Sequence, residues 1–213
     1  MGYFPFFIDI ADRKCLIVGG GNVAARKLEK ITGFGADITV VSPEICSSIR
    51  NYSVNILERR FNDTDLDGVF MVIAATNDRK LNRHIHDICT ERRILVNTVD
   101  EADNCNFFFP ALVHKNDITV GISTGGKCPV MAGFLRSMTD NEINDKILAC
   151  ADILSRYRSL VKEKLPTEKK RSKAMKALLD LCMNSFSLPD YDDIINLMEV
   201  IDNNETENRN SQE

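Results

Sequence analysis

The sequence predicts an α/β fold: a mostly parallel sheet with helical crossovers, then a small β-rich segment, then a helical C-terminal domain. Three observations carry this expectation. Short β-branched runs alternate with helix-period segments over roughly the first half of the chain. FFFPALVHKNDITVGIST then holds two strand-like runs around the turn-like Lys115-Asn116. From Glu142 to about Asp202 nearly everything is helical in pattern.

The elements follow in order. LIVGG (Leu16 to Gly20) reads as a buried strand, and NVAARKLEKITGFG as the helix after it, with Ala24, Leu28 and Ile31 on one face and Gly33 and Gly35 as the stop. ADITVVSP is a second strand closed by Pro43, NILERRF a third and VFMVIAAT a fourth. RKLNRHIHDICTERR is a helix and RILVNTVD the fifth strand. The unbroken apolar character of LIV and VFMVIAA marks strands buried on both faces, as parallel sheets are. GGKCPVMAGFLRSMTD opens a helix after Pro129, KEKLPTEKKRSKAMK is strongly basic, and NNETENRNSQE reads as a frayed polar tail.

Composition narrows the function classes. The formal net charge of −4 gives no global basic field for nucleic acid. Seven scattered cysteines without a C-x-x-C pair argue against a disulfide framework or a structural zinc site and for a reducing cytoplasm. The N-terminal MGYFPFFIDIADRK has no basic lead-in and meets Asp9 and Asp12 too early for a signal peptide. No run approaches the roughly 20 apolar residues needed to span a bilayer, so no membrane partner is expected.

Gly19, Gly21 and Ala24 fit G-x-G-x-x-G/A between a strand and a helix. In that setting the first position makes the tight turn, the second lets a pyrophosphate approach the backbone, and the third lets helix and strand pack closely. The arrangement is Rossmann-like, and a compact βα turn without a ligand is the plainer alternative. A P-loop is excluded, because no G-K-[ST] follows the glycines. The acidic residue that usually holds the cofactor ribose after the second strand is replaced by Ser42-Pro43-Glu44. Either Glu44 substitutes for it or backbone contacts do the work, and no arginine stands there for a 2′-phosphate, which favours NAD over NADP.

Polar residues also follow the fourth and fifth strands, in AATND (Ala74 to Asp78) and NTVD (Asn97 to Asp100). Ligands of doubly wound sheets bind beyond these carboxyl ends. Asp100, after an apolar strand, suits proton transfer if partly desolvated; capping a helix or turn is the equal alternative.

Taken in order, FPFFIDIADRKCLIVGGGNVAARK, ITVVSP, AATND, NTVD, FFFPALV and GISTGGKCPVMA resemble the precorrin-2 dehydrogenase family, the siroheme-synthase N-terminal module. The resemblance covers about residues 3 to 140. It implies a cytoplasmic homodimer that oxidises precorrin-2 to sirohydrochlorin with NAD, with ferrous iron insertion to siroheme in some members. It maps catalysis onto Asp100 and the cofactor turn onto Gly19, Gly21, Asn22 and Val23, beside the pattern's own Ala24, with ribose-side contacts at Pro43 and Glu44. Thr76, Asn77 and Asn97 at the strand ends are further cofactor candidates. Ser123, Thr124, Gly125 and Gly126 match its S-[ST]-G-G segment, and with Lys127 and Arg136 they are the substrate-binding candidates. The division expected is 1–112 for the NAD-binding domain, 113–145 for a dimerisation segment and 146–213 for the helical domain.

The tetrapyrrole's carboxylates need cations, which Lys127, Arg136 and the Lys162–Lys176 cluster can offer, although a Lys-rich helix face is commonly just solvated. His84 and His86 are two apart on a helix and make a poor metal pair, His114 stands alone, and no resident metal site is expected. The rival readings are a dedicated sirohydrochlorin ferrochelatase and a non-enzymatic NAD-sensing module.

Overall fold

A computed structural model describes residues 4–99, 104–185 and 187–210, with side chains to 203. The described chain forms two compact units, Met1–Pro110 and Ala111–Glu213.

The first unit holds five parallel strands: β1 (Lys14–Val18), β2 (Asp37–Val41), β3 (Asn55–Leu57), β4 (Met71–Ala74) and β5 (Leu95–Thr98). Their order is β3-β2-β1-β4-β5. Helices α1 (Asn22–Thr32), α2 (Ser47–Arg50) and α3 (Arg79–Glu91) connect them, with a 3₁₀ turn at Asp63–Leu66. The α/β class read from the sequence is the one observed. Because β2 and β3 lie on one side of β1 and β4 and β5 on the other, the strand order reverses between β1 and β4, the place where doubly wound sheets bind ligands at their carboxyl ends.

Alternation explains the two-sided core. Ile17, Ile38, Val40 and Ile73 pack on one face with Ala24, Leu28 and Ile31 of α1. Leu16, Val18, Val41, Val72 and Val96 pack on the other with Ile85 and Cys89 of α3. Successive side chains of each strand thus alternate between two apolar layers, which is why these runs lack polar positions.

The second unit begins with an antiparallel hairpin, β6 (Ala111–Lys115) and β7 (Ile118–Ile122), in register from Ala111↔Ile122 to Lys115↔Ile118. Asn116 turns the chain at φ 49°, a left-handed conformation that asparagine tolerates. Four helices follow: α4 (Pro129–Glu142), α5 (Asp145–Lys164), α6 (Glu168–Asn184) and α7 (Tyr191–Asn210). Asn144 and Thr167 cap α5 and α6 by accepting from Ile147 N–H and Lys170 N–H. The Lys115 ammonium donates to the carbonyls of Asp140 (2.6 Å) and Ile143 (3.0 Å) at the C-terminus of α4. Lys146 does the same for Met183 (2.6 Å) and Ser185 (3.1 Å) after α6. Cys150, Leu165, Leu178, Cys182, Ile194 and Met198 form the core of α5, α6 and α7.

Three local readings change. The strand expected from Phe107 begins only at Ala111, because Pro110 has no N–H to give a ladder. The third strand stops at Leu57 rather than running through Phe61, since Arg59 and Asn62 turn toward Asp65. Helix α7 extends to Asn210, past the point where fraying was expected, and the stretch holds no Gly or Pro to interrupt it.

Candidate functional site: a glycine turn at the sheet's switch point

The three glycines after β1 do three different jobs. Gly19 adopts φ 124°, which only glycine accepts readily, and a Cβ there would overlap the carbonyl of Ala75 at the end of β4. Its N–H donates to Val41 O on β2 at 2.9 Å, so the turn stitches both neighbours of β1. Gly20 is buried against the β2 side: its carbonyl accepts from Cys46 N–H at 2.8 Å, and a Cβ would overlap the Glu44 carbonyl. Gly21 is exposed, and a Cβ built on it meets nothing within 4 Å.

Gly21 is also the N-cap of α1. It offers no side-chain acceptor, and no acidic residue occupies the first turn. The positive end of an 11-residue helix therefore has neither a side-chain cap nor an acidic residue in its own first turn. Asn22 and Val23 are exposed beside it, while Ala24 is fully buried and lets α1 lie close on the sheet. This cradle fits the pyrophosphate of a dinucleotide: room over Gly21, uncapped donors and a dipole of the right sign.

Pro43 and Glu44 are exposed at the end of β2. Beyond β4, Thr76 is tied down rather than free. Its hydroxyl lies 2.7 Å from Asn82 Oδ1 and 3.1 Å from Asp78 O, and Asn82 Nδ2 donates to Thr76 O at 2.9 Å. Asp78 caps α3 by accepting from Lys80 and Leu81 N–H. The AATND segment is thus rigid, with Asn77 exposed at its tip. Asn82 is a buried support that sequence reading missed; an asparagine within the first turn of a helix was the available signal.

Asn97 is placed differently from the others. It is buried on β5, where its Oδ1 accepts from the Lys27 ammonium at 3.0 Å and its Nδ2 donates to Phe107 O at 3.1 Å. Its side chain is committed inside the fold. Asp100 lies outside the described residues. The edge of β5 is closed by the chain that returns from it: Val96 N–H donates to Asn106 Oδ1 (2.7 Å), and Asn106 N–H donates to Val96 O (3.0 Å). Thr98 N–H donates to Cys105 Sγ at 3.1 Å, and the thiol donates to Thr98 O at 3.2 Å. The Thr98 hydroxyl is buried with no hydrogen-bond partner among the described residues.

Lys27 is the main residue that sequence reading overlooked. Its ammonium sits 4.3 Å from the centre of the Phe109 ring, and burial, reinforced by neighbouring Lys30 and opposed by Cys105, pushes it below the usual lysine range.

The substrate-side candidates all belong to the second unit. Gly125 (φ 63°) and Gly126 (φ 77°) make consecutive left-handed residues with open space around both. Ser123 Oγ accepts from Gly125 N–H, and Thr124 Oγ1 exchanges hydrogen bonds with the Cys128 backbone. The loop leads into α4, whose N-cap Cys128 supplies no side-chain bond. Lys127 is exposed on it and Arg136 is exposed further along α4. Of the basic cluster, Lys170 is paired with Asp202 at 2.7 Å, while Lys162, Lys164, Lys169, Lys173 and Lys176 are exposed. The histidines are separate: His84 lies 2.9 Å from Asp63 and His114 2.9 Å from Thr119, and the Nδ1 of His86 is buried. Among the described residues no three metal-ligating side chains gather, and no helix is long and apolar enough to cross a membrane.

Comparison with known proteins agrees with this geometry. The family model described as putative NAD(P)-binding matches residues 6–111, which include the glycine turn and all five parallel strands. The siroheme synthase of Thioalkalivibrio sulfidiphilus is 40% identical over 184 residues, covering 84% of this chain and 38% of that protein. The chain is a homologue of the siroheme synthases over the stretch it shares with them. The siroheme synthase of Zymomonas mobilis is 39% identical over 175 residues, covering 80% of this chain and 37% of that one. The chain thus spans under two fifths of the length of these curated relatives. A solved structure titled "SirC, precorrin-2 dehydrogenase" shares the fold at a TM-score of 0.71 and 20% identity, covering 93% of this chain and 98% of that one.

Proposed function

We propose that this chain oxidises precorrin-2 to sirohydrochlorin, with NAD as acceptor, in siroheme biosynthesis. The observation that carries the reading is the uncapped N-terminus of α1 over Gly21 at the switch point, in a chain homologous to the siroheme synthases. Bound NAD supplies the acceptor for the hydride that leaves the tetrapyrrole.

The chain's residues supply the rest. Gly19 and Gly20 fix the turn, Gly21, Asn22 and Val23 take the pyrophosphate while Ala24 holds α1 close to the sheet, and Pro43 and Glu44 contact the ribose. Thr76 and Asn77 line the β4 end through a rigid backbone, and Asn97 contributes by orientation. Asp100 accepts the proton. Ser123, Thr124, Gly125, Gly126, Lys127 and Arg136 bind substrate carboxylates with backbone N–H groups and cations.

Ferrous iron as a second substrate belongs to the same reading, supported by the name siroheme synthase that the relatives carry. A homodimer is supported by the exposed apolar residues Val130, Met131, Phe134, Leu135 and Met138 of α4. Seven free thiols support a reducing compartment, the cytoplasm.

The test is to mix the purified protein with precorrin-2 and NAD and follow NADH absorbance. NADH formation is expected, slower with NADP, and no NADH above a protein-free control overturns the reading. Asp100→Ala is expected to keep NAD binding and lose turnover. Sirohydrochlorin with ferrous iron and no NAD reads out chelation as the siroheme spectrum.

A further inference from the structure

Lys27 lies on the second turn of α1, a position where a basic side chain on an amphipathic helix would ordinarily reach for water. It does the opposite. The ammonium turns inward, donates to Asn97 Oδ1 at 3.0 Å and lies 4.3 Å from the centre of the Phe109 ring. Lys30, one turn on, flanks the same ring at 5.9 Å and lies 3.5 Å from Pro110 O. Asn97 passes the connection on, since its Nδ2 donates to Phe107 O at 3.1 Å and lies 3.5 Å from Cys105 Sγ. Cys105 in turn holds Thr98 by both its N–H and its C=O.

One cation therefore joins three parts of the first unit: the helix whose N-terminus bears the dinucleotide cradle, the end of β5, and the segment that returns along β5. An apolar side chain could cover Phe109 without desolvating a charge beside a second lysine. What the ammonium adds is direction: a donor that fixes the Asn97 amide and, through it, the pairing of Thr98 with Cys105.

We propose that Lys27 is a positioning residue, which locks the end of β5 to the dinucleotide-binding helix and so holds the end of β5 in place for turnover. This rests on the reaction proposed above, in which the acceptor follows β5 in the chain. Lys27 need touch neither cofactor nor substrate.

The test compares Lys27→Met and Lys27→Arg with the wild type in the full chain. Methionine keeps the stem and removes the charge; arginine keeps a cation over Phe109 and a donor for Asn97. With Lys27→Met, kcat is expected to fall about tenfold or more while KM for NAD changes less than about twofold, and Lys27→Arg is expected to restore most of the loss. A kcat within about twofold of wild type, a proportionate rise in KM for NAD, or an arginine variant no better than methionine overturns the proposal.

Amide hydrogen exchange keeps this separate from the reaction itself. In Lys27→Met the amides of Thr98 and Asn106 are expected to exchange about tenfold faster, with that of Ala75 unchanged, and arginine is expected to reverse this. Unchanged exchange at Thr98 and Asn106 overturns the proposal even if the wild type forms no NADH, the result that would instead remove the reaction.

Discussion

Gly20 and Glu44 meet backbone to backbone: a Cβ built on Gly20 would overlap the Glu44 carbonyl, and the next residue but one, Cys46, donates its N–H to Gly20 O at 2.8 Å. The turn after β1 and the turn after β2 are therefore a single packed unit, although the dinucleotide pattern assigns no role to the middle glycine. Gly20→Ala cannot be absorbed by a flexible side chain, because the overlapping atom belongs to the backbone. The variant is expected to lose about 1–3 kcal/mol of stability by overpacking. Urea unfolding midpoints would measure it, and an unchanged midpoint would contradict the packing.

Gly21→Ala is the counterpart. A Cβ there meets nothing within 4 Å, and φ is −90°, which alanine adopts without strain. Stability is expected to stay within about 0.5 kcal/mol of wild type, since the methyl loses no contact and slightly restricts the unfolded chain. The methyl does stand where a pyrophosphate would approach the N-terminus of α1, so dinucleotide affinity is expected to fall about tenfold or more. Calorimetric titration with NAD reads this out. A pair of neighbouring glycines, one failing in folding and the other in binding, separates scaffold from cradle.

This division of labour marks the limit of what the sequence shows. The strand, the glycines and the buried Ala24 are legible, because apolar periodicity and turn chemistry are local. Which glycine packs on which strand is not, since Ala75 and Glu44 reach the turn only through sheet pairing. Asn97 illustrates the same limit. Its place near a strand end suggests the mouth of the site, yet alternation along β5 turns it inward to Lys27. The FFFPALV run also reads as strand from Phe107. In the fold, residues before Ala111 pair with β5 through the side chains of Cys105 and Asn106, a pattern that no periodicity announces. The motif on the Ser123–Lys127 loop is legible, but the left-handed backbone of Gly125 and Gly126 is not.

Arg59 and Asp65 form a two-armed ion pair, with contacts of 2.8 and 2.6 Å. Asp65 also accepts from Asn62 N–H at 2.9 Å, closing the capping box of the 3₁₀ turn. The Arg59 guanidinium holds the Asp65 carboxyl below its ordinary range. With the folded-state value depressed, the stabilisation is present above the unfolded-state pKa, about 3.9, and is lost as pH falls through the lower folded-state value. Asp65→Ala is expected to cost about 1–3 kcal/mol at neutral pH and less in acid. Thermal melts of both proteins at pH 7 and near pH 3 would show the gap closing; an equal gap at both would assign the loss to packing.

Cys89 and Cys15 titrate at the opposite end. Both are buried, Cys89 between α3 and the sheet and Cys15 on β1, and burial lifts the Cys89 thiol to about 12 and the Cys15 thiol to about 11. Cys182, in the second unit, is raised to about 11 by burial and by Cys150, whose sulfur lies within hydrogen-bonding reach. A folded-state pKa above the unfolded value of 9.0 means the contribution is complete below pH 9 and is lost as pH climbs through the folded value. Melting temperature is therefore expected to decline above about pH 9, and Cys89→Ala, which removes the most strongly shifted thiol, is expected to flatten that decline while lowering stability at pH 7 by about 1 kcal/mol. Accessibility gives an independent readout. Cys128 is exposed at the start of α4, so a disulfide reagent at pH 8 should modify it quickly in the folded protein, while Cys15, Cys89 and Cys182 react only on unfolding. Mass spectrometry of the labelled peptides distinguishes the two groups, and early labelling of Cys89 would show that α3 opens from the sheet far more readily than its packing implies.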